Sequence, residues 1–444
     1  MIKALLIFGV LLFSSHAVAA QTADQYFKTG LTHYDKKEYD KAITNFTSAI
    51  GLAPTMSSAW FNRGQSHYYT SNYTAAVVDY SQAIKIRPDF GDAYFQRALA
   101  YSKIRDYDAA VADYSQLIRS NPADSQAFHN RGLIYVDKNM PDQALADYNE
   151  AIRLNPSYTK AFVNRGGVFY RKKNYPLAIA DFTKAIALDP NLGEARYNLG
   201  QAYYFSGNYD GAIASYTETL RLTPTRWDAY MQRGLAQQKK KNTEAAIADY
   251  MEGIKLAPQN SELFHNRGNA YTDKGQTDLA MADFNEAIRL NPKASRTYLA
   301  RGNAHFRAKK FDLAAGDFGE AVKADPNYAD AWANRGVVNH SLAKYEVAIP
   351  DFTRAITIAP GDPKHYKNRA MSHFQMKNYE PALSDLNELI RLDPRTAHNY
   401  AMRAEVYEKK GIKDMAIADY KAAQKLDPNN IFAKSGLTRL GAAQ

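Results

Sequence analysis

Twelve of the seventeen prolines stand at Pro54, Pro88, Pro122, Pro156, Pro190, Pro224, Pro258, Pro292, Pro326, Pro360, Pro394 and Pro428, 34 residues apart each time, with no insertion or deletion in the series. Proline inside a helix removes a backbone donor and clashes with the preceding turn, at a cost of about 3 kcal/mol or more. A comb of prolines at this spacing therefore fixes where helices stop. It also makes the chain a row of like units, in which 444 residues no longer imply two or three globular domains.

Between successive prolines one pattern recurs. An aromatic such as Trp60, Phe128 or Trp332 is followed four residues later by glycine or alanine, as at Gly64, Gly132 and Gly336. Then come a small residue (Ala76, Ala144, Ala348), an apolar residue that is usually aromatic (Tyr80, Tyr148, Phe352), and the next proline. Each unit holds two apolar-periodic segments of about a dozen residues, split by a polar turn such as Lys138-Asn139 or Gly207-Asn208. These residues resemble the tetratricopeptide repeat (TPR) family, in twelve consecutive units: 23–56, 57–90, 91–124, 125–158, 159–192, 193–226, 227–260, 261–294, 295–328, 329–362, 363–396 and 397–430. The resemblance implies an all-α fold, a right-handed superhelical solenoid of antiparallel helix pairs with a concave and a convex side. One helix pair cannot cover both of its apolar faces, so neighbours must stack. After Pro428 the segment from Ile431 to Leu440 begins another first helix and stops, so residues 431–444 read as a C-terminal capping helix.

The first twenty residues differ from the rest. MIKALLIFGVLLFSSHAVAA has a cation at Lys3, an apolar run from Ala4 to Phe13, and small residues at Ala17, Ala19 and Ala20 before the chain turns polar. That is the pattern of a secretory signal peptide, and its apolar run falls short of the roughly 20 residues a membrane span needs. Cleavage after residue 20 would leave 444 − 20 = 424 residues and, with Lys3 gone, a net charge of +9 in place of +10. The expectation is an exported chain, periplasmic or secreted, without a transmembrane segment in its mature form. It has no cysteine, so disulfides and thiolate metal sites are excluded. Nucleic acid is not an expected partner for an exported chain.

Inside the repeat the tripeptide Asn-Arg-Gly returns at Asn62, Asn130, Asn164, Asn266 and Asn334. Counting the first residue of each unit as position 1, these are positions 6, 7 and 8 of the first helix. Glycine or alanine fills position 8 in every unit, and glycine costs roughly 1 kcal/mol of helix propensity against alanine. Such a residue is tolerated where helices approach closely. Arginine holds position 7 in ten units, and aspartate holds position 23 of the second helix in the same ten. Unit one has Thr29 with Asn45 and unit six has Leu199 with Ser215, so the partners vanish together. The pattern predicts an ion pair between the two helices of each unit, a device of register more than of stability. Unit six, without the pair and with Gly207 and Gly211 at its turn, is expected to be the softest interior point.

Position 6 carries an amide at Asn62, Gln96, Asn130, Asn164, Asn198, Gln232, Asn266, Asn334 and Asn368. Positions 2, 9 and 13 share its side of the helical wheel and show no packing pattern, so the face does not read as core. In the family the first helices line the concave surface, and the arrangement is similar to the asparagine ladder of O-GlcNAc transferases, where amides hold an extended peptide by its backbone. The alternative is that these amides bond only to neighbouring repeats. Aromatics at Tyr68, Tyr69, Tyr170, Tyr204 and Phe205 (positions 12 and 13), with Phe61, Phe95 and Tyr197 at position 5, are candidates either for the groove or for packing between repeats. The ligand-binding set expected is the nine amides with Tyr68, Tyr170 and Tyr204.

Other chemistry is sparse. The carboxylate clamp of chaperone-binding relatives would need arginine at position 6 and lysine at position 5; the first never occurs and the second only at Lys367. Basic clusters at Arg171-Lys172-Lys173, Lys239-Lys240-Lys241, Lys309-Lys310 and Lys409-Lys410 fall in the turns within units. They would allow weak contact with anionic envelope components, or serve only to complement helix C-termini. There is no HExxH, P-loop or glycine-rich nucleotide turn, and His33, His67, His305 and His373 sit at position 11, where the family places an aromatic. No cofactor, metal or catalytic residue is expected. Two function classes follow: a non-enzymatic scaffold holding protein or peptide partners in its concave groove within a bacterial cell envelope, or an accessory protein that binds an envelope polysaccharide or cell-wall polymer.

Overall fold

The computed structural model describes residues 22–442, which form helices joined by short turns and contain no strand. The leader expected over residues 1–20 lies outside them. No helix among the described residues is long and apolar enough to cross a membrane. The first helix covers 22–35, and from there each unit supplies one helix starting at position 1 and one starting at position 17. First helices of thirteen residues, such as Ser125–Asp137, alternate with second helices of fourteen, such as Pro141–Leu154. The chain divides into two compact bodies, Met1–Pro224 and Thr225–Gln444. The first holds units one to six. The second holds units seven to twelve and a terminal helix, Ile431–Arg439. Within each body a first helix packs on its own second helix, which in turn packs on the following first helix.

The turn explains why the two helices fold back. Position 15 has a positive φ in all twelve units, at Lys37, Ser71, Arg105, Asn139, Lys173, Gly207, Lys241, Gly275, Lys309, Ala343, Lys377 and Gly411. A left-handed residue lets its own amide and the next reach back into the helix that has just ended: Ser71 N–H donates to Tyr68 O at 3.0 Å and Asn72 N–H to His67 O at 2.8 Å. Asn72, Asp106, Asn174 and Asn208 at position 16 then accept a backbone N–H of the second helix and cap it. Gly207 therefore relieves strain at a position where nine other units carry a side chain, and a Cβ on Gly211 would lie 2.9 Å from the Tyr203 ring. Each glycine thus has a local steric reason.

The core is made at three positions. Alanine at position 20 is fully buried in all twelve units, from Ala42 to Ala416. The position 24 side chain, a ring in eleven units and Leu386 in the other, lies beneath position 8. A Cβ on Gly132 would come 2.7 Å from Tyr148 Cε1, and one on Gly64 2.8 Å from Tyr80 Cε1, so the close approach expected of position 8 is with the ring of the unit's own second helix. The terminal helix repeats the contact, burying Ala433, Gly436 and Leu437 beside Tyr420 while Ile431 and Phe432 stay exposed.

The ion pair forms in all ten units that encode it. Arg131 Nε donates to Asp147 Oδ2 at 2.8 Å and Nη2 to Oδ1 at 2.7 Å, and the other nine are bidentate in the same way. The third arm reaches backwards. Arg131 Nη1 donates to Ser115 Oγ at 2.9 Å on the preceding unit's second helix, and Arg63, Arg97, Arg165, Arg301, Arg369 and Arg403 reach Thr47, Ser81, Asn149, Asn285, Thr353 and Asn387 alike. These acceptors all occupy position 25. Where position 25 of the preceding unit is Met251 or Gly319, Arg267 and Arg335 keep only the aspartate bonds. The guanidinium also lies over the position 4 ring, 4.8 Å from Trp60 and 4.7 Å from Trp332. One arginine thus ties three helices. In unit six Ser215 Oγ bonds to Gly211 O instead, and Leu199 packs with Ala178, Phe182 and Ala202, so losing both partners orphans no charge.

Candidate functional site

The nine position 6 amides are half-buried on the first helices. Their engagement differs. Asn62 Nδ2 turns back to Ser58 O of its own helix at 2.8 Å, and Asn334 Nδ2 donates to Asn303 Oδ1, position 9 of the preceding unit, at 3.0 Å. Asn130 and Asn164 both meet one histidine: His129 Nδ1 is 3.1 Å from Asn130 Oδ1, and His129 Nε2 is 2.8 Å from Asn164 Nδ2. Gln96, Asn198, Gln232, Asn266 and Asn368 have no side-chain hydrogen bond among the described residues. Packing between repeats thus occupies some amides and leaves others with polar atoms to offer.

Two clefts bring consecutive amides together, one in each body. The first, of about 520 Å³, is lined by His129, Asn130, Leu133, Val163, Asn164 and Leu192, with Lys160, Asp189 and Glu194 at its margin. The second, of about 450 Å³, is lined by Met231, Gln232, Leu235, His265 and Asn266, with Glu262, Lys293 and Arg296. They use the same repeat positions three units apart: 5, 6 and 9 of one unit, 1, 2, 5 and 6 of the next, and the start of a third. Each holds a pair of amides and side chains of both charge signs; the first is mainly apolar, whereas the second mixes apolar Met231 and Leu235 with a largely polar lining. Asn62, Gln96, Asn198, Asn334 and Asn368 line neither of these two clefts.

The tyrosines of the expected site pack on the second helix. Tyr68, Tyr170 and Tyr204 meet the position 17 rings Tyr73, Tyr175 and Tyr209 edge-on at 5.2, 5.9 and 5.6 Å. Burial pushes all three phenols above their ordinary range. The exposed rings are their neighbours: Tyr69, 57% exposed, stacks on Tyr39 of the preceding unit, and Phe205, 55% exposed, stacks on Tyr175.

In the turns within units, ion pairs form at position 14. Lys172, Lys274 and Lys410 at position 14 reach Asp142, Glu244 and Glu380 at position 18 of the preceding unit, at 2.6, 2.8 and 2.7 Å, and Lys138 pairs with Asp108 likewise. These are surface ion pairs, each worth about 0–1 kcal/mol.

Two residues escaped the reading of the sequence: His129 and His265 at position 5, both within the pentapeptide Phe-His-Asn-Arg-Gly, which occurs twice, four units apart. Burial lowers the pKa of both rings, His265 to about 4, so each is neutral at pH 7. Histidine beside a ladder asparagine was the available signal.

Comparison with known proteins identifies the repeat type. Family models described as tetratricopeptide or TPR repeats match residues 23–56, 64–104, 91–124, 125–158, 166–207, 197–261, 268–309, 299–363 and 367–431. No curated protein matches the sequence. Among solved structures the chain is similar to the APC/C hetero-tetramer Cut9–Hcn1 (15% identity, 97% of this chain and 98% of that one, TM-score 0.43). It is also similar to the C-terminal part of a TPR repeat-containing protein from Cytophaga hutchinsonii (24%, 53% and 97%, 0.47) and to yeast Tom70 (17%, 95% and 95%, 0.40). At these identities the likeness is one of fold alone. Nine matched segments running from residue 23 to 431, over helix pairs that keep a 34-residue step, place the chain in the tetratricopeptide repeat family, whose members serve as protein-interaction scaffolds.

Proposed function

We propose that this protein is an exported scaffold that holds extended polypeptide against the position 6 face of its first helices, within a bacterial cell envelope. The observation that carries the reading is the pair of clefts, each bringing two consecutive amides together beside apolar side chains, Asn130 with Asn164 near Leu133 and Val163, and Gln232 with Asn266 near Met231 and Leu235. A carboxamide offers two donors and two acceptor sites, which matches a peptide bond whatever side chains flank it, and the clefts take those side chains. Export rests on the pattern of residues 1–20. N-terminal sequencing of the exported protein is expected to start near Gln21; intact Met1–Ala20 in a membrane fraction would overturn that part.

A second reading has its own observation. Tyr69 and Phe205 each stack on one face and expose more than half their surface, which offers the other face to the apolar side of a sugar ring. Competition separates the two: unfolded polypeptide and an envelope polysaccharide are offered together to the purified protein. The scaffold reading expects the polypeptide to be retained and the polysaccharide not to displace it. Displacement by the polysaccharide would favour the accessory role.

A further inference from the structure

His129 stands between two rungs of the ladder. It is 4% exposed, it bonds Asn130 on its own helix and Asn164 on the first helix of the next unit, and all three side chains line one cleft. A neutral imidazole has one donor nitrogen and one acceptor nitrogen. It must therefore draw the oxygen of one amide and the nitrogen of the other toward itself. Here Nδ1 takes the oxygen of Asn130 and Nε2 takes the nitrogen of Asn164. The atoms left for the groove are the opposite pair, the NH₂ of Asn130 and the carbonyl oxygen of Asn164. Were the two amides free to rotate, either could present either atom, and any polar polymer would fit.

We propose that His129 is a positioning residue that makes Asn130 and Asn164 a directional pair, one donor followed by one acceptor, and so selects polypeptide backbone over ligands that offer acceptors alone, such as phosphate or sulfate esters. This rests on the polypeptide reading above. A peptide unit supplies one carbonyl and one N–H in fixed order, the complement of that pair.

The pairing depends on a neutral ring, which its surroundings favour: burial lowers the His129 pKa against the opposing pull of the Asn130 bond, and Lys160 lowers it further. Tyr148 of its own second helix and Tyr158 of the following loop lie against it, and Asp189 and Glu194 line the same cleft. A proton on His129 would make both nitrogens donors. Asn164 would then turn its oxygen inward and two NH₂ groups would face the groove, a site for acceptors. His265 differs in its bonds, to Asn269 Nδ2 at 3.0 Å and Thr297 Oγ1 at 3.1 Å, so in the second body the same position orients a position 9 amide and leaves Asn266 unbound to it.

The test uses the full mature chain and a fluorescein-labelled, reduced and carboxymethylated α-lactalbumin as an unfolded polypeptide, with affinity read by anisotropy and folding by circular dichroism. His129→Leu is expected to weaken binding about fivefold, and His129→Gln, whose carboxamide again supplies one donor and one acceptor, to restore it to within about twofold. Unchanged binding by folded His129→Leu, or no rescue by His129→Gln, would overturn the proposal. If His129→Leu does not fold, His129→Met is measured in its place, and unchanged binding by the folded variant counts against the proposal. Asn130, Asn164 and Asn198 changed together to alanine separate the two levels. Loss of binding there with none in His129→Leu refutes only the role of His129; no loss in either refutes the ladder itself.

Discussion

Changing Arg131 to methionine removes two bonds to Asp147, the bond to Ser115 and the stack on Phe128, and leaves the Asp147 carboxylate 5% exposed with no cation beside it. Breaking a buried pair from one side costs about 3–5 kcal/mol, because the surviving charge stays desolvated. Removing both charges is different. Arg131→Met with Asp147→Leu leaves nothing uncompensated, and the expected change lies between neutral and a gain of about 1–4 kcal/mol. Two features support the asymmetry. Burial pushes the carboxyls of Asp113 and Asp249 up even though Arg97 and Arg233 pull them down, so desolvation outweighs the attraction at the carboxylate, while at the Arg97 guanidinium the attraction of Asp113 prevails. Units one and six already lack both partners and satisfy their replacements locally, Asn45 on Lys41 O and Ser215 on Gly211 O. Because repeat arrays open unit by unit, urea unfolding should be joined by native-state hydrogen exchange over residues 125–158. A single variant that loses under about 1 kcal/mol, or a double variant as unstable as the single, would refute the view that the pair sets register at a cost in solvation.

Three further outcomes follow from the geometry. Tyr148 Oη is buried without a partner, and Phe46, Phe182, Phe284, Phe318 and Phe352 fill the same position, so Tyr148→Phe should be neutral or raise stability by up to about 1 kcal/mol in urea unfolding; a loss of that size would mean the hydroxyl has a partner. Lys241 holds a left-handed φ of 62°, so Lys241→Gly should stabilise by about 0.5–1 kcal/mol, whereas a loss would mean that the side chain outweighs the strain. Burial holds His265 neutral down to about pH 4, while the unfolded ring takes a proton near its ordinary 6.5. The folded pKa is depressed, so the unfolded state binds more protons between those values and stability falls as pH falls through that window. The loss should reach about 3 kcal/mol by pH 4, and unfolding of His265→Gln across the same range should lack that part of it.

The helix pairs were legible because three signals agree: proline at a fixed step, alanine at position 20, and glycine or alanine over a position 24 ring. The Arg131–Asp147 type of pair was legible because both members vanish together in units one and six. The third arm was not, because its acceptors at position 25 are serine, threonine or asparagine, which vary too much to stand out and work only through one oxygen each. The local reasons for Gly207 and Gly211 were not legible, since a φ of +84° and a ring 2.9 Å from an added Cβ are facts of three dimensions. For the site, the position 6 amides could be chosen from their phase. Which of them bond inward depends on residues one unit away, such as His129 for Asn164 and Asn303 for Asn334, and no single repeat contains that information. Tyr68 and its equivalents drew notice for being aromatic, but position 17 supplies each with a ring to pack on.

The claim that the amide face holds backbone meets its most direct test in the variant with Asn130, Asn164 and Asn198 all changed to alanine. Each amide-to-backbone bond is worth about 0.5–1.5 kcal/mol net, so single changes should cost little, while the three together should weaken binding of an unfolded polypeptide by about tenfold or more. Circular dichroism should show an unchanged helical fold, because none of the three carries the core. An affinity equal to wild type in the folded triple variant would contradict the account, and would turn attention to the convex side and to the rings of Tyr69 and Phe205.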